Sequence, residues 1–376
     1  MTLACIERDK HARSTIAANR PNWKLSDKRD IVDAAATLSP RDLGLRRRQL
    51  GVLAGGPPCQ PFSKAAQWAA SGRAGIEDPR CEGLRAFFKL AERFLPTVVL
   101  IENVPGFVKG RSSALRTVNA ALHRINRLNG TRYTAQWRVL NAADFGVPQS
   151  RTRAILIATR SGKVVPWPAE THSHNRVRAY DALSGVIVRP RPRMSGAWGD
   201  LISSIPEGGN YLFHTSSGDG LPLFGRRRWF WSFLLKLARD RPSWTLSAKP
   251  GPSTGPFHWA NRPLAVSEIL RLQSFPKSWR LMGGRDAQVR QAGNATPPLL
   301  AEIVGRAIGR HLFGLDYETS PRLKIRRKRH IPRAVPPRPV PMKYVALCGR
   351  QSDHPGEGRG PGAVARLRRQ GGGTSK

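Results

Sequence analysis

Cys59 stands in the stretch GGPPCQPFS (Gly55–Ser63), directly behind the apolar run VLA. Proline fixes φ and removes a backbone donor, so this segment neither continues a strand nor enters a helix. A free cysteine in an ordinary core is inert packing. A thiol held in one orientation by a stiff turn is suited to act as a nucleophile. Glu102 closes TVVLIE, whose other members are uncharged and mostly apolar. A carboxylate leaving a buried strand must be paired, or else protonated with a raised pKa. The first case is a structural ion pair and the second a proton donor. Arg151 and Arg153, in PQSRTR, lie two apart at a strand start and so share a side. Such a pair can orient a planar polar ligand and lower the pKa of a nearby thiol, or form a solvated basic edge. Asn294, in QAGNATPP, precedes a helical pattern, where capping would account for it.

The elements that must position these residues follow from periodicity. LACI ends at Glu7, and KHARSTIAANRP reads as a helix stopped at Pro21. VLAGGPP, the helix LRAFFKLAERFLP, the strand TVVLIEN and a helix over SSALRTVNAALHRINRL come next. YTAQWRVLNAADFGVPQSRTRAILIATR reads as two strands around a turn. Strands alternating with helices predict an α/β layer with a mainly parallel sheet. Ligands of such sheets sit at the carboxyl ends of strands, where GGPPCQPFS and ENVPGF both fall. Four segments are expected: a first catalytic part over 1–163, a small irregular domain over 164–240, a return through 241–316, and a basic disordered tail over 317–376. The irregular part is rich in Pro, Gly, Arg and Trp, with RPRPRM and GRRRWFWSF. Helices return with LAVSEILRLQSFP and PPLLAEIVGRAIGRHLF, the latter apolar at Leu299, Leu300, Ile303, Ala307 and Ile308.

Charge narrows the partner. The 376 residues carry 63 Lys and Arg against 25 Asp and Glu, a net charge of +38. Residues from Ser320 onward hold 15 Lys/Arg and 2 acids, so +25 stays on the body. An excess that large repels itself unless a polyanion is near, and nucleic acid is the usual one. The four cysteines, Cys5, Cys59, Cys81 and Cys348, form no CxxC pair, which argues against a zinc site or disulfide framework. Two loop histidines in THSH lack the further ligands a metal needs. No apolar run reaches the ~18 residues of a membrane span, and MTLACIERDK is no signal peptide. A cytoplasmic, monomeric protein is expected.

Taken in order, GGPPCQPFS, IENVPGF, LNAADFGVPQSRTR, RLQSFP and GNATPP resemble the DNA cytosine-5 methyltransferases. The likeness runs from Leu3 to Leu312, apart from residues 164–240, where that family varies. The resemblance implies a Rossmann-like fold dependent on S-adenosylmethionine, with residues 164–240 as target-recognition domain and RPSWTLSAKPGPSTGPFHW as its brace. It implies that Cys59 adds to carbon 6 of cytosine while Glu102 protonates or hydrogen-bonds ring nitrogen 3. Arg151 and Arg153 match the pair that positions the base, which must be flipped out of duplex DNA to reach the thiol. On the cofactor side, Glu7 resembles the acid that binds the ribose hydroxyls and Asp30-Ile31 the contacts near adenine. Leu84 resembles an apolar residue packing on the cofactor, and Asn294 one of its polar contacts. A place in restriction-modification is a further implication.

One departure stands out. The family opens with a strand and a glycine-rich FxGxG turn, and no such turn lies between Met1 and Glu7. Either the true start lies upstream or the chain is truncated, and for the chain as written the expectation is weak cofactor binding and a sheet with exposed edge hydrogen bonds. The main reading is a DNA methyltransferase of bacterial or phage origin. The missing turn keeps open a non-catalytic DNA-binding remnant, and the family's branch that methylates transfer RNA keeps open an RNA substrate. A zinc-dependent cytosine deaminase needs H-x-E with PCxxC, whereas here the cysteine is followed by QPF.

Overall fold

The computed structural model describes residues 2–57, 81–110, 113–226 and 231–349. They divide into two units, Met1–Val177 with Gln273–Lys324, and Arg178–Leu272 with Ile325–Lys376.

The first unit is built on four strands: β1 (Val52–Gly55), β2 (Val98–Asn103), β3 (Ala135–Asn141) and β4 (Thr152–Thr159), in the order β1-β2-β4-β3. β1 and β2 run parallel, while β4 is antiparallel to both β2 and β3. The sheet is therefore mixed, where a mainly parallel one was expected. The reason lies in the connections. A parallel return needs a crossover of a dozen or more residues. Residues 142–151 between β3 and β4 hold only a short 3-10 turn, and so force an antiparallel return. LACI joins no strand of this sheet. Cys5 makes only an isolated parallel bridge to Leu25, and β1 has no strand on its other side among the described residues.

Alternation along the strands buries both faces. Val99 and Ile101 of β2 join Ala154, Leu156 and Ala158 of β4 in one apolar cluster. The helices α3 (Glu82–Phe94) and α4 (Leu115–Asn129) cover it with Leu84, Phe87, Phe88, Ala91, Val118, Leu122 and Ile125. The intervening residues Val98, Ile155 and Ile157 meet Leu299, Leu300, Val304 and Ile308 of α8 (Pro298–Phe313) on the other face. Smaller helices complete the unit: α1 (Lys10–Asn19), capped by Asp9; α2 (Ile31–Thr37), capped by Asp30; and α7 (Arg285–Asn294).

The second unit has little regular structure. It contains α5 (Ala179–Leu183), α6 (Val266–Leu272) and α9 (Met342–Val345), and its apolar core gathers Leu201, Ile202, Ile205, Leu223, Leu234, Phe257 and Tyr344. Tyr344 comes from the segment expected to be a disordered tail. Its ring is 5% exposed and stacks on Trp198 at 5.5 Å, so residues 325–349 are docked on this unit.

Candidate active site

The site grows from the carboxyl end of β2. Its last two residues, Glu102 and Asn103, leave the sheet beside the start of antiparallel β4, which brings Arg153 alongside. Glu102 lies opposite Ile155, so Glu102 and Arg153 share the face that α8 covers. Arg153 Nε stands 2.8 Å from Glu102 Oε1, with both side chains mostly buried. The carboxylate at the end of the apolar run is thus the paired one of the two cases the sequence allowed. Removing the guanidinium would leave a buried charge without compensation.

The loop carrying Cys59 starts at the same place. The Asn103 side-chain amide donates to Pro57 O at 3.0 Å. A Cβ at Gly56 would lie 3.5 Å from both the carbonyl and the Oε2 of Glu102. Gly56 therefore lies beside the Glu102 carboxylate, where a Cβ would make ordinary van der Waals contact with it, and Pro57 is tied to the neighbouring Asn103. Cys59 itself lies outside the described residues, as do Arg227, Arg228, Trp229 and Phe230 of the GRRRWFWSF patch.

Arg151 does different work from Arg153. It is 1% exposed and donates through Nη2 to Gly293 O. Its backbone N–H donates to Asn141 Oδ1 at 3.1 Å. Gln149, wholly buried, donates to Gln273 Oε1 at 3.0 Å, and the Gln273 amide donates to Ala292 O. The loop before β4 and the RLQSFP turn are thereby tied to the last turn of α7. Asn294, expected to cap a following helix, is instead the exposed last residue of α7. The helix runs on through QAGN, and Pro297 and Pro298 start α8 anew. Gln149, Gln273 and Asn103 were missed as functional positions. The signal was their place inside PQSRTR, RLQSFP and IENVPGF, but a buried amide looks like any other polar residue until its partner is known.

Of the expected cofactor residues, Asp30 and Ile31 open α2, Leu84 lies in the cluster Ile31 packs on, Glu7 directly precedes the Arg8 that faces Asp30, and Asn294 stands apart at the end of α7. Glu7 Oε1 accepts from Asp9 N at 2.7 Å, leaving Oε2 as a second acceptor. Asp30 Oδ1 accepts from Val32 N at 2.9 Å, and Oδ2 lies 3.4 Å from Arg8. Ile31 packs on the same cluster that holds Leu84. Leu84 is 2% exposed, so it supports this surface from beneath and offers no open face. The donor set suits a ligand bearing hydroxyl and amino donors: two carboxylates, a backbone turn at a helix start and an apolar floor. His172 of THSH lies over Gly146, where a Cβ would come within 3.0 Å of its ring. Among the described residues no group of three His, Cys, Asp or Glu could hold a metal ion, and no helix is long and apolar enough to cross a membrane.

Comparison with known proteins settles the class. The family model for C-5 cytosine-specific DNA methylase matches residues 1–207 and 235–310. The Type II methyltransferase M.SacI of Streptomyces achromogenes is 34% identical over 335 residues, 82% of this chain and 84% of that protein. The Type II methyltransferase M1.HphI of Haemophilus parahaemolyticus is 30% identical over 324 residues, 81% and 80% of the two chains. Among solved structures, the S. pombe Dnmt2 methyltransferase superposes with a TM-score of 0.56 at 16% identity, over 83% of this chain and 92% of that one. A DNA modification methyltransferase encoded within an E. coli prophage gives 0.55 at 21%, over 82% and 92%. The two structures establish the fold, a mixed α/β sheet of the methyltransferase type. Family match and sequence relatives together carry the conclusion that this chain belongs to the C-5 cytosine-specific DNA methylases.

Proposed function

We propose that the protein methylates carbon 5 of cytosine in duplex DNA by way of a covalent adduct between Cys59 and a flipped base. The observation that supports this reading best is the juxtaposition at the end of β2. There Glu102 is held by Arg153 at 2.8 Å, while Gly56 lies beside Glu102 and Pro57 is bonded to Asn103, both leading to Cys59. A nucleophile's loop, a carboxyl group and an arginine at one sheet end are what base activation requires. Carbon 5 of cytosine is a poor nucleophile. Addition of the Cys59 thiolate to carbon 6 moves electron density onto the ring. Glu102, ion-paired with Arg153 in the free protein, takes up a proton when the base arrives and shares it with ring nitrogen 3, where it meets the developing negative charge. Arg153 fixes the orientation of the carboxyl group. Arg151, anchored on Gly293 O, braces the loop that presents both arginines. Once carbon 5 has formed its bond to the methyl group, loss of the carbon-5 proton breaks the bond between carbon 6 and sulfur, releases the Cys59 thiolate and restores the aromatic ring.

Family membership implies a methyl donor of the S-adenosylmethionine type, which supplies an electrophilic methyl group on a cationic sulfur. Glu7 Oε2 would accept from its ribose hydroxyls, Asp30 and Ile31 would meet the adenine, and Asn294 would add a polar contact. Since the sequence relatives are Type II methyltransferases, the proposal extends to the modification arm of a restriction-modification pair. The second unit, Arg178–Leu272 with Ile325–Lys376, is assigned the target recognition.

The test is transfer of labelled methyl from S-adenosylmethionine to mixed-sequence duplex DNA. Label in 5-methylcytosine that vanishes in Cys59→Ala, with DNA binding retained, is the expected outcome. Label appearing only on RNA would move the substrate. Absence of transfer to either nucleic acid by the wild-type chain would leave the DNA-binding remnant as the answer.

A further inference from the structure

The segment Ile325–Gly349 contains seven Lys and Arg, five prolines and no Asp or Glu. A run of that composition is ordinarily left to solvent, where its charges repel one another and it gains no core. Here its backbone is pinned to the second unit along its length. Lys328 N donates to Asp181 Oδ1 at 2.8 Å, and Arg178 Nη2 to Lys328 O at 2.7 Å. Arg239 Nη1 donates to the carbonyls of Pro332 and Arg333 at 3.3 and 2.9 Å. Arg338 N donates to Ser203 O at 2.9 Å. Tyr344 closes the strap, its hydroxyl donating to Ala197 O at 2.7 Å while its ring stacks on Trp198.

The division of labour within the strap is informative. Protein contacts are made by backbone groups, by the apolar Val340, Tyr344 and Leu347, and by two cations, Arg327 toward Asp181 and Lys343 toward Asp200. Arg326, Arg329, Arg333 and Arg338 are exposed, and no acidic side chain pairs with them among the described residues. Their backbone is thus fixed while their guanidinium groups are left for something else. Prolines at 332, 336, 337, 339 and 341 favour an extended course and remove backbone donors that another strand could use. At ~3.1 Å per residue an extended course from Arg326 to Arg338 reaches up to ~37 Å, close to the ~34–36 Å of one duplex turn. Guanidinium groups suit phosphate oxygens because their donors form a planar fork.

We infer that this strap is a phosphate-contacting rail on the recognition unit, which grips the backbone of duplex DNA independently of its sequence. The inference rests on the reading that the protein's substrate is DNA, and adds to it a site outside the reacting base and the cofactor. Preorganisation is what distinguishes it from a loose basic tail, since the cost of ordering the segment is met before DNA arrives.

The test uses the full chain with Arg326, Arg329, Arg333 and Arg338 all changed to Gln, and a 30-base-pair duplex of arbitrary sequence followed by fluorescence anisotropy from 50 to 300 mM salt. Removing one arginine–phosphate pairing should flatten the slope of log K against log[salt] by ~0.9, so the four together should remove up to ~3.6. The melting temperature should hold, because these side chains support no core. A matched control replaces Arg41, Arg46, Arg116 and Arg127, exposed on the first unit, and changes net charge by the same amount. It should lower the slope by less than ~1. Equal slopes for the strap variant and wild type would overturn the rail while leaving the DNA substrate standing. So would an equal fall in strap variant and control, which would mark a net-charge effect. A wild-type chain that does not bind duplex at all would overturn both readings, and a strap effect confined to RNA would reassign the partner and overturn this one.

Discussion

The two units of this protein solve the same problem by opposite means. The first buries a sheet between apolar helix faces, with Phe87, Ile101, Leu156 and Ile157 all at 2% exposure or less. Among the described residues, the second has only short helices, α5, α6 and α9 with two 3-10 turns, and holds its irregular backbone with buried ionic and polar groups. Glu268, 2% exposed, accepts from Arg262 through both oxygens at 2.7 Å and from Ala265 N at 2.8 Å, with His258 Nε2 at 3.5 Å. Asp181 accepts from Arg178 and from Lys328 N. The His214 ring lies 2.8 Å from Ser204 Oγ and 3.0 Å from Leu221 O. Where chain direction changes too often for a ladder, backbone groups must find side-chain partners. A surface shaped by such networks can vary in sequence without losing a sheet. The consequence is a stability that falls with pH between about 6.5 and 4 in the second unit, through its buried histidines, while the shifted carboxylates Asp9 and Asp42 of the first unit titrate lower.

The comparison breaks most visibly on a pair of substitutions. Phe87→Ala removes a ring packed edge-on to Phe88 at 5.9 Å and should cost the first unit about 3–5 kcal/mol, equally at pH 7 and pH 5. Glu268→Gln strips a buried ion pair of its charge and should cost the second unit about 3 kcal/mol. Hydrogen-exchange protection of peptides from residues 82–94 and 258–272, corrected for intrinsic rates, reads each unit separately. A loss of protection in both units from either substitution would show that they share one cooperative transition.

Acid should separate the units next. Burial pushes His258 down to about 4, outweighing the opposing pull of Glu268, while Arg262, Arg239 and Arg191 push the same way as burial. Burial also lowers His214. Between about pH 6.5 and 4 the unfolded chain binds a proton at His258 that the folded chain refuses, so stability falls as pH falls through that window. For His258 the total is at most about 3 kcal/mol. Glu268 acts lower. Burial raises its pKa, but hydrogen bonds from Arg262 and Ala265 N outweigh burial and hold the carboxyl below its ordinary value. Its contribution is present above the unfolded pKa and disappears only as pH falls through the folded one. Exchange protection in residues 258–272 should therefore decline from pH 6.5 downward while residues 82–94 stay level. His258→Phe should flatten that decline if the unit keeps its fold, and an unchanged slope would assign the effect elsewhere.

Catalysis offers a finer probe, within the first unit. A Cβ at Gly55 would lie 2.8 Å from Phe87 Cε2. Gly55→Ala should then displace the ring or the strand end at a cost of about 1–3 kcal/mol. Because Gly55 leads into the Cys59 loop, methyl transfer should fall on the order of tenfold or more. Gly55→Ala with Phe87→Leu should recover part of that loss. Full activity in the single variant would mean that strand placement does not position the nucleophile.

How much of this was legible in the sequence differs between the units for the same physical reason. Period 3.6 in LRAFFKLAERF and the apolar run VVLI announce α3 and β2, because a helix or strand with one or both faces buried writes its burial into its spacing. Glu102 was legible as a charge out of place. That it had to be paired or protonated was legible, but the pairing of β2 with β4 had to be known before Arg153 could be chosen. The hairpin of β3 and β4 was legible from the short turn between them, but the order β1-β2-β4-β3 was not, since no residue pattern within a strand says which of the two pairs with β2. In the second unit nothing repeats. Glu268 and Arg262 meet six residues apart, but Lys328 reaches Asp181 across 147, and no local pattern encodes that. The docked strap was misread for this reason. Its composition is that of a disordered tail, and Tyr344 alone hints at an anchor.

The smallest effect sharpens the comparison inside a single residue. Asp30 caps α2 through Oδ1 and faces Arg8 through Oδ2 at 3.4 Å. Asparagine caps a helix as well as aspartate does, and the Arg8 side chain is 84% exposed, so the ion pair is worth little. Asp30→Asn should therefore change stability by less than about 0.5 kcal/mol. If Asp30 also receives an amino group of the methyl donor, the same change swaps an acceptor for a donor at one oxygen, and affinity for S-adenosylmethionine measured by calorimetry should fall several-fold. Alanine makes the contrast complete: losing the cap costs about 1 kcal/mol and should weaken binding no more than Asn does. A residue that only caps would reverse this pattern, with Asn silent in both measurements and Ala felt in stability alone.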